Sequence, residues 1–84
     1  MTNKEILKKQ IIYRSTHRGT KEMDILLGKF TKKYIDKFNE NELNELKEIL
    51  LIDDDNLYQW YFNLKDIEQI SKNKVSNLLK NFKL

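Results

Sequence analysis

The sequence predicts an all-α, five-helix, bundle-like single domain over residues 1–84, and three observations predict it. The chain has no proline and only two glycines, Gly19 and Gly28, so little punctuates helical propagation. No segment alternates apolar and polar residues for the length of a half-buried strand. Met23, Leu26, Leu27, Phe30, Tyr34, Ile35 and Phe38 recur at the three- and four-residue spacing of one helix face.

Each element follows from its own signals. A first helix is expected over residues 4–16, with Ile6, Leu7 and Ile11 along one side and Gln10 and Arg14 completing it. Gly19 then marks a turn, because glycine inside a helix costs about 1 kcal/mol. The second helix carries the stripe from Met23 to Phe38, with Gly28 allowing close helix approach. Asn39 and Glu42 form a capping-box pattern that opens the third helix, whose stripe is Leu43, Leu46, Ile49 and Leu50. Asp53, Asp54, Asp55 and Asn56 stop that helix and begin a fourth, where acidic residues suit the positive helix N-terminus. Leu57, Trp60, Tyr61 and Leu64 face inward from it. A last helix contains Val75, Leu78, Leu79 and Phe82, and residues 63–71 are either a loop or its early turn. Helices of ten to fifteen residues are expected, with most large side chains committed to the core and little room for a deep pocket.

Composition excludes several classes of function. Cysteine is absent, so there is no disulfide framework or thiolate chemistry, and one histidine cannot build a His-based metal cluster. No apolar run approaches the ~20 residues of a membrane span, and the first residues do not read as a signal peptide. The net charge is +3, from fourteen lysines and two arginines against thirteen acidic residues. The signs are mixed along nearly every segment, with no basic stripe, so neither nucleic acid nor membrane is an expected partner.

The segment from Tyr13 to Asp24 holds both arginines, Arg14 and Arg18. Arginine presents a planar five-donor fork, suited to bidentate binding of a carboxylate or phosphate, that lysine cannot imitate. Arg18 and Glu22 stand four apart around Gly19. With a helix beginning at Gly19, Glu22 lies in its first turn and Arg18 folds back over it, forming an Arg/Gly/Glu knuckle. Gly19 there allows close approach of another backbone or a positive φ. On residue types alone such a pair is more often a solvated one, worth a few tenths of a kcal/mol.

No catalytic residue is expected. His17 adjoins Ser15 and Thr16, but adjacent residues do not face one another on a helix, and no third group is placed to orient the ring. The Asp53–Asp55 run lacks the spacing and central glycine of an EF-hand, so helix capping explains it and no metal site is expected. Tyr58 and Phe62 share the side of the fourth helix opposite its apolar stripe. Their edge is either a protein contact or ordinary partial burial, and both readings stand.

Two stretches carry a resemblance. Residues 17–30, His-Arg-Gly-Thr-Lys-Glu-Met-Asp-Ile-Leu-Leu-Gly-Lys-Phe, resemble the Arg-Gly-x-x-Glu signature of SdhE-type FAD assembly factors. That family is called succinate dehydrogenase assembly factor 2 in mitochondria and YgfY in bacteria. Residues 53–60, Asp-Asp-Asp-Asn-Leu-Tyr-Gln-Trp, resemble the family's Asp-Asp-Pro-Asp-Leu-x-x-Trp stretch. The likeness covers roughly residues 6–62. Asp55 stands where the family often has proline, and little similarity is read after Asn63.

The resemblance implies a non-enzymatic, five-helix assembly factor. It would bind the flavoprotein subunit of succinate dehydrogenase, and in some bacteria of fumarate reductase, and promote covalent attachment of FAD to that partner. FAD is then the group attached to the partner, through a partner histidine and not His17, and no cofactor is held stably by this chain. Arg18, Gly19 and Glu22 are implied to lie on the partner-binding surface with Asp24 nearby. The arginine argument adds Arg14, and the exposed edge adds Tyr58 and Phe62. The alternatives are a helical protein–protein adaptor unrelated to flavin, using the Tyr58/Phe62 edge, and a weak nucleic-acid binder using the lysines. A free monomer is expected. A bacterial cytoplasm is expected over a mitochondrial matrix, because no transit segment is read at the start of the chain.

Overall fold

The apolar stripes close over one common core in the computed structural model, which describes residues 2–83. The first helix, α1 (Asn3–Thr16), starts behind Thr2, whose hydroxyl accepts the Glu5 N–H at 3.1 Å. Its buried line is Leu7, Ile11 and Ser15, each four residues from the last. Ile6, Gln10 and Arg14, expected on that side, are exposed. The reason is that α1 meets α2 and α3 along a narrow seam rather than a broad face.

The second helix, α2 (Lys21–Tyr34), begins behind Thr20, not at Gly19, and the Thr20 hydroxyl accepts the Met23 N–H at 3.3 Å. It ends four residues before Phe38, yet Ile35 keeps α-region backbone and the Phe38 N–H donates to the Tyr34 carbonyl at 3.1 Å. The turn therefore continues the stripe, and Ile35 and Phe38 are buried as the pattern requires. Phe30 is fully buried at the centre of an aromatic group, 4.8 Å from Tyr34, 5.4 Å from Phe82 and 6.2 Å from Phe38 between ring centroids.

The third helix, α3 (Glu40–Leu50), has the predicted capping box. Asn39 Oδ1 accepts the Glu42 N–H at 2.8 Å, and the Asn39 N–H donates to Glu42 Oε1 at 2.9 Å. That backbone donation, followed by the Lys74 ammonium 2.9 Å from Glu42 Oε2, holds the Glu42 carboxyl below its ordinary pKa.

The fourth helix, α4 (Asp54–Tyr61), and the fifth, α5 (Lys74–Asn81), have eight residues each, shorter than expected. A left-handed residue ends α4. Asn63 takes φ 60°, its N–H donates to the Trp60 carbonyl at 3.2 Å, and the Leu64 N–H donates to the Gln59 carbonyl at 2.8 Å. This reversal turns Leu64 out to solvent, against the inward placement expected for it. The segment between α4 and α5 contains no helix, which settles residues 63–71 as loop, and the buried Ile67 and Ile70 pin it to the core. Asn73 and Ser76 form a second capping box at the start of α5. The Tyr61 hydroxyl donates to the Phe82 carbonyl and ties α4 to the end of α5.

Gly28 faces the end of α1, where a Cβ would meet the Ser15 carbonyl at 3.8 Å and Thr16 Cγ2 at 3.9 Å. These are ordinary contact distances, so packing does not require glycine here. Gly28→Ala is expected to stabilise the protein by about 0.5–1 kcal/mol through helix propensity. Chemical denaturation should show a higher midpoint at unchanged slope.

Among the described residues no helix is long and apolar enough to cross a membrane, and no three His, Cys, Asp or Glu side chains gather to hold a metal ion.

Candidate functional site

The arginine corner is built by chain geometry at the end of α1. His17 caps that helix: its ring stacks on Tyr13 with centroids 4.0 Å apart, and Nδ1–H donates to the Tyr13 carbonyl at 2.8 Å. The chain then turns, and Arg18 points inward. Its side chain retains only 8% exposure.

Four hydrogen bonds hold the Arg18 fork within the protein. Nε donates to Asp54 Oδ1 at 2.7 Å. Nη1 donates to the Leu50 carbonyl at 2.7 Å and to the Arg14 carbonyl at 3.3 Å. Nη2 donates to the Ile52 carbonyl at 2.7 Å. Leu50 ends α3 and Arg14 lies in the last turn of α1, so one cation satisfies orphan carbonyls at the negative ends of two helices. A lysine ammonium, a point donor, cannot span these acceptors.

Asp54, the first residue of α4, returns the contact. Its Oδ2 accepts the N–H groups of Gly19 and of Thr20, the latter at 2.9 Å. Asp24 Oδ1 accepts the Arg18 N–H at 3.4 Å. Three successive backbone donors, at residues 18, 19 and 20, therefore end on two carboxylates.

This corrects the reading of the corner. Arg18 does not fold over Glu22, because Asp54 and three carbonyls occupy its donors. Gly19 has no positive φ. A Cβ there would stand 3.0 Å from Asp54 Oδ2, so a larger residue would push the carboxylate by a few tenths of an ångström out of the clamp. Asp54 itself was read as a capping residue. Asp53 holds the N-cap position, but its carboxylate takes the Asn56 side-chain amide at 2.6 Å and no backbone N–H. No local pattern marks Asp54 as the partner of Arg18. What the sequence did offer was the joint occurrence of the stretches 17–30 and 53–60, and these are the two that meet here.

The remaining predicted residues divide. Arg14 lends only its carbonyl to the corner and keeps an exposed side chain. Asp24 is half-buried and turned to the Arg18 backbone. Glu22 is exposed in the first turn of α2, with no ion pair among the described residues, and only the helix dipole favours its charge. Glu22 stands at the lip of an apolar groove lined by Met23, Ile25, Leu26, Tyr61 and Phe62. Phe62 is 50% exposed and its ring lies 4.7 Å from that of the exposed Tyr58. Packing of α2 against α4 thus brings Glu22 and the Tyr58/Phe62 edge onto one face. Ile25, 39% exposed, completes it and escaped the sequence reading because it falls off the main stripe.

Comparison with known proteins agrees with these two stretches and extends past them. The family described as flavinator of succinate dehydrogenase matches residues 9–83. The likeness therefore continues beyond Asn63, through the loop and α5, where little similarity was read. A protein of the yeast Scheffersomyces stipitis named succinate dehydrogenase assembly factor 2, mitochondrial, is 39% identical over 77 residues, covering 90% of this chain and 52% of the relative. The protein of that name in Saccharomyces cerevisiae is 33% identical, covering 93% and 59%. In Dictyostelium discoideum it is 29% identical, covering 89% and 53%. The chain spans about half the length of the curated relatives it matches. No solved structure gives a significant match. The relatives are named mitochondrial, which overturns the expected bacterial cytoplasm and points to mitochondria. That expectation rested on the first residues of the chain, and residues that build a folded domain carry no address.

Proposed function

This chain belongs to the family of flavinators of succinate dehydrogenase, and from that premise we propose that it binds the flavoprotein subunit of that enzyme in mitochondria and promotes covalent FAD attachment to it. The observation that carries the reading is the face where the two motif stretches meet. It leaves an exposed carboxylate with no ion pair among the described residues, Glu22, beside exposed aromatic surface, Tyr58 and Phe62.

The flavin supplies the redox chemistry of its own attachment when bound to the partner, and is not a resident cofactor of this chain. This chain's residues hold the partner. Phe62 and Ile25 offer apolar anchorage, and Glu22 accepts a donor from the partner surface. Arg18, Gly19 and Asp54 are positioning residues: they fix the angle between α2 and α4 and so the distance from Glu22 to Phe62. Tighter binding to the attachment-competent arrangement of the flavoprotein raises the population of that arrangement, and no chemical group from this chain is required.

The test uses the flavoprotein subunit produced with and without this protein. Both samples are denatured in acid and examined for flavin fluorescence that stays on the polypeptide band. Wild-type protein should raise bound flavin. Phe62→Ala should weaken flavoprotein binding about tenfold or more, as loss of an interface aromatic does, with Glu22→Ala weakening it less. Both variants alter exposed side chains and should keep wild-type helicity. Normal flavin attachment with both would sink the assignment of this face. No rise in bound flavin with the wild-type chain would leave an adaptor unconnected with flavin.

A further inference from the structure

Two segments without a single acidic residue, 25–35 and 69–83, are brought together in space. Phe82 stands 5.4 Å from Phe30, and the Lys33 ammonium lies 5.5 Å from the Tyr34 ring and 5.7 Å from the Phe82 ring. Lys37 reaches the same Tyr34 ring from the following turn at 5.8 Å, and Lys83 covers Tyr61 at 5.7 Å. Lys29 precedes Lys33 by four residues and shares its side of α2. No basic stripe shows in the sequence because these lysines fall in two separated stretches, residues 29–37 in mid-chain and Lys83 near the C-terminus. Packing of Phe82, the residue after α5, against Phe30 and Lys33 of α2 assembles one.

The charge on this surface is not neutralised from within. Among the described residues, Lys29, Lys33, Lys37 and Lys83 make no ion pair. The acid nearest in sequence, Asp36, is held by Lys8 of α1 at 3.0 Å. Lys74 is held by Glu42, and Lys80 donates to the Trp60 carbonyl at 2.7 Å. Four ammonium groups with no ion pair among the described residues thus concentrate on one surface of a chain whose net charge is only +3.

We infer that this lysine surface receives a carboxylate-rich surface of the flavoprotein partner, as an electrostatic extension of the face proposed above, on which the inference rests. Three observations favour a protein over other anions. The surface contains no arginine, both arginines lying elsewhere, so it lacks the bidentate fork suited to phosphates. Its rings, Tyr34, Phe82 and Tyr61, are half-buried under ammonium groups and do not stand free to stack on bases or enter a lipid layer. It also continues the docking face: Glu22, Lys29 and Lys33 lie on one side of α2, seven and four residues apart, and Lys37 follows four residues on in the turn after it. Charge at such a rim acts mainly on the rate of encounter and on orientation.

The measurement is the association rate and Kd of the full chain for the flavoprotein subunit, at about 50 and about 300 mM salt, where screening differs strongly. The triple variant Lys33→Glu, Lys37→Glu, Lys83→Glu is compared with a control of equal charge change elsewhere, Lys4→Glu, Lys65→Glu, Lys72→Glu. Circular dichroism establishes that both are folded. The triple variant should associate about tenfold or more slowly at low salt, with its salt dependence flattened, and the control should fall by much less. Equal loss in both variants would reduce the effect to net charge and overturn the surface. So would unchanged binding by the triple variant, or loss confined to a single-stranded RNA or anionic vesicle probe. Failure of the wild-type chain to bind the flavoprotein at any salt would overturn the proposed function and this extension together. An association rate and salt dependence of the triple variant equal to those of the wild type would overturn the extension alone.

Discussion

Arg18→Ala is expected to destabilise the protein by about 3–5 kcal/mol, because it leaves Asp54 as an almost buried charge without its counter-ion. It also removes the donors to the Leu50 and Ile52 carbonyls. A domain of this length has a total stability of roughly 4–13 kcal/mol, so the loss is a large fraction of it. Arg18→Lys should cost less than Arg18→Ala but more than a surface substitution, since one ammonium replaces a fork with four acceptors. Asp54→Ala should approach the cost of Arg18→Ala, because the Gly19 and Thr20 N–H groups lose their acceptor as well. The double variant should cost less than the two singles summed, with a coupling of about 1–3 kcal/mol. Urea denaturation of the four proteins checks this. Additive costs would mean that the two side chains do not act as a pair. The expectation also governs functional work: loss of flavin attachment in an Arg18 variant reports unfolding as readily as loss of contact. Glu22 and Phe62, exposed and outside the clamp, are the positions that separate the two.

Phe30→Ala should cost about 3–5 kcal/mol, the usual range for a buried phenylalanine. The ring is the hub of the Tyr34, Phe38 and Phe82 contacts, which come from α2, the turn after it and the residue following α5. These are tied to rigid helix ends and cannot readily collapse into the cavity. A thermal melt should shift down by more than about 12 °C, at roughly 4–8 °C per kcal/mol for a domain of this size. Phe30→Leu, which keeps most of the volume, should cost under half as much. A small shift for Phe30→Ala would show that the aromatic group is not a rigid core.

Five helices, their order and the capping box of α3 were legible in the sequence. The Asn39–Glu42 box and the α2 stripe formed where local pattern placed them, since capping and periodicity depend on neighbours within about four residues. The errors share a cause. Ile6, Gln10 and Arg14 were assigned to the buried side of α1, and Leu64 to that of α4, because a stripe's width and a helix's last turn depend on what packs against them. Arg18 was paired with Glu22, four residues away, when its counter-ion was 36 residues away.

The candidate site shows the same division. Arginine and glycine side by side marked the corner, and the Tyr58/Phe62 edge was visible as a surplus of aromatic residues. The sequence by itself determined which segments become helices and which residue types stand at the corner, because both are decided by short-range geometry and hydrogen bonding. Only the tertiary structure decided that Arg18 is interior and Glu22 exposed, that Glu22 and Phe62 share a face, and that lysines from two distant segments form one basic surface. Those outcomes follow from the angles at which helices pack. The angles are set by the fit of side chains from distant segments, which no local pattern records.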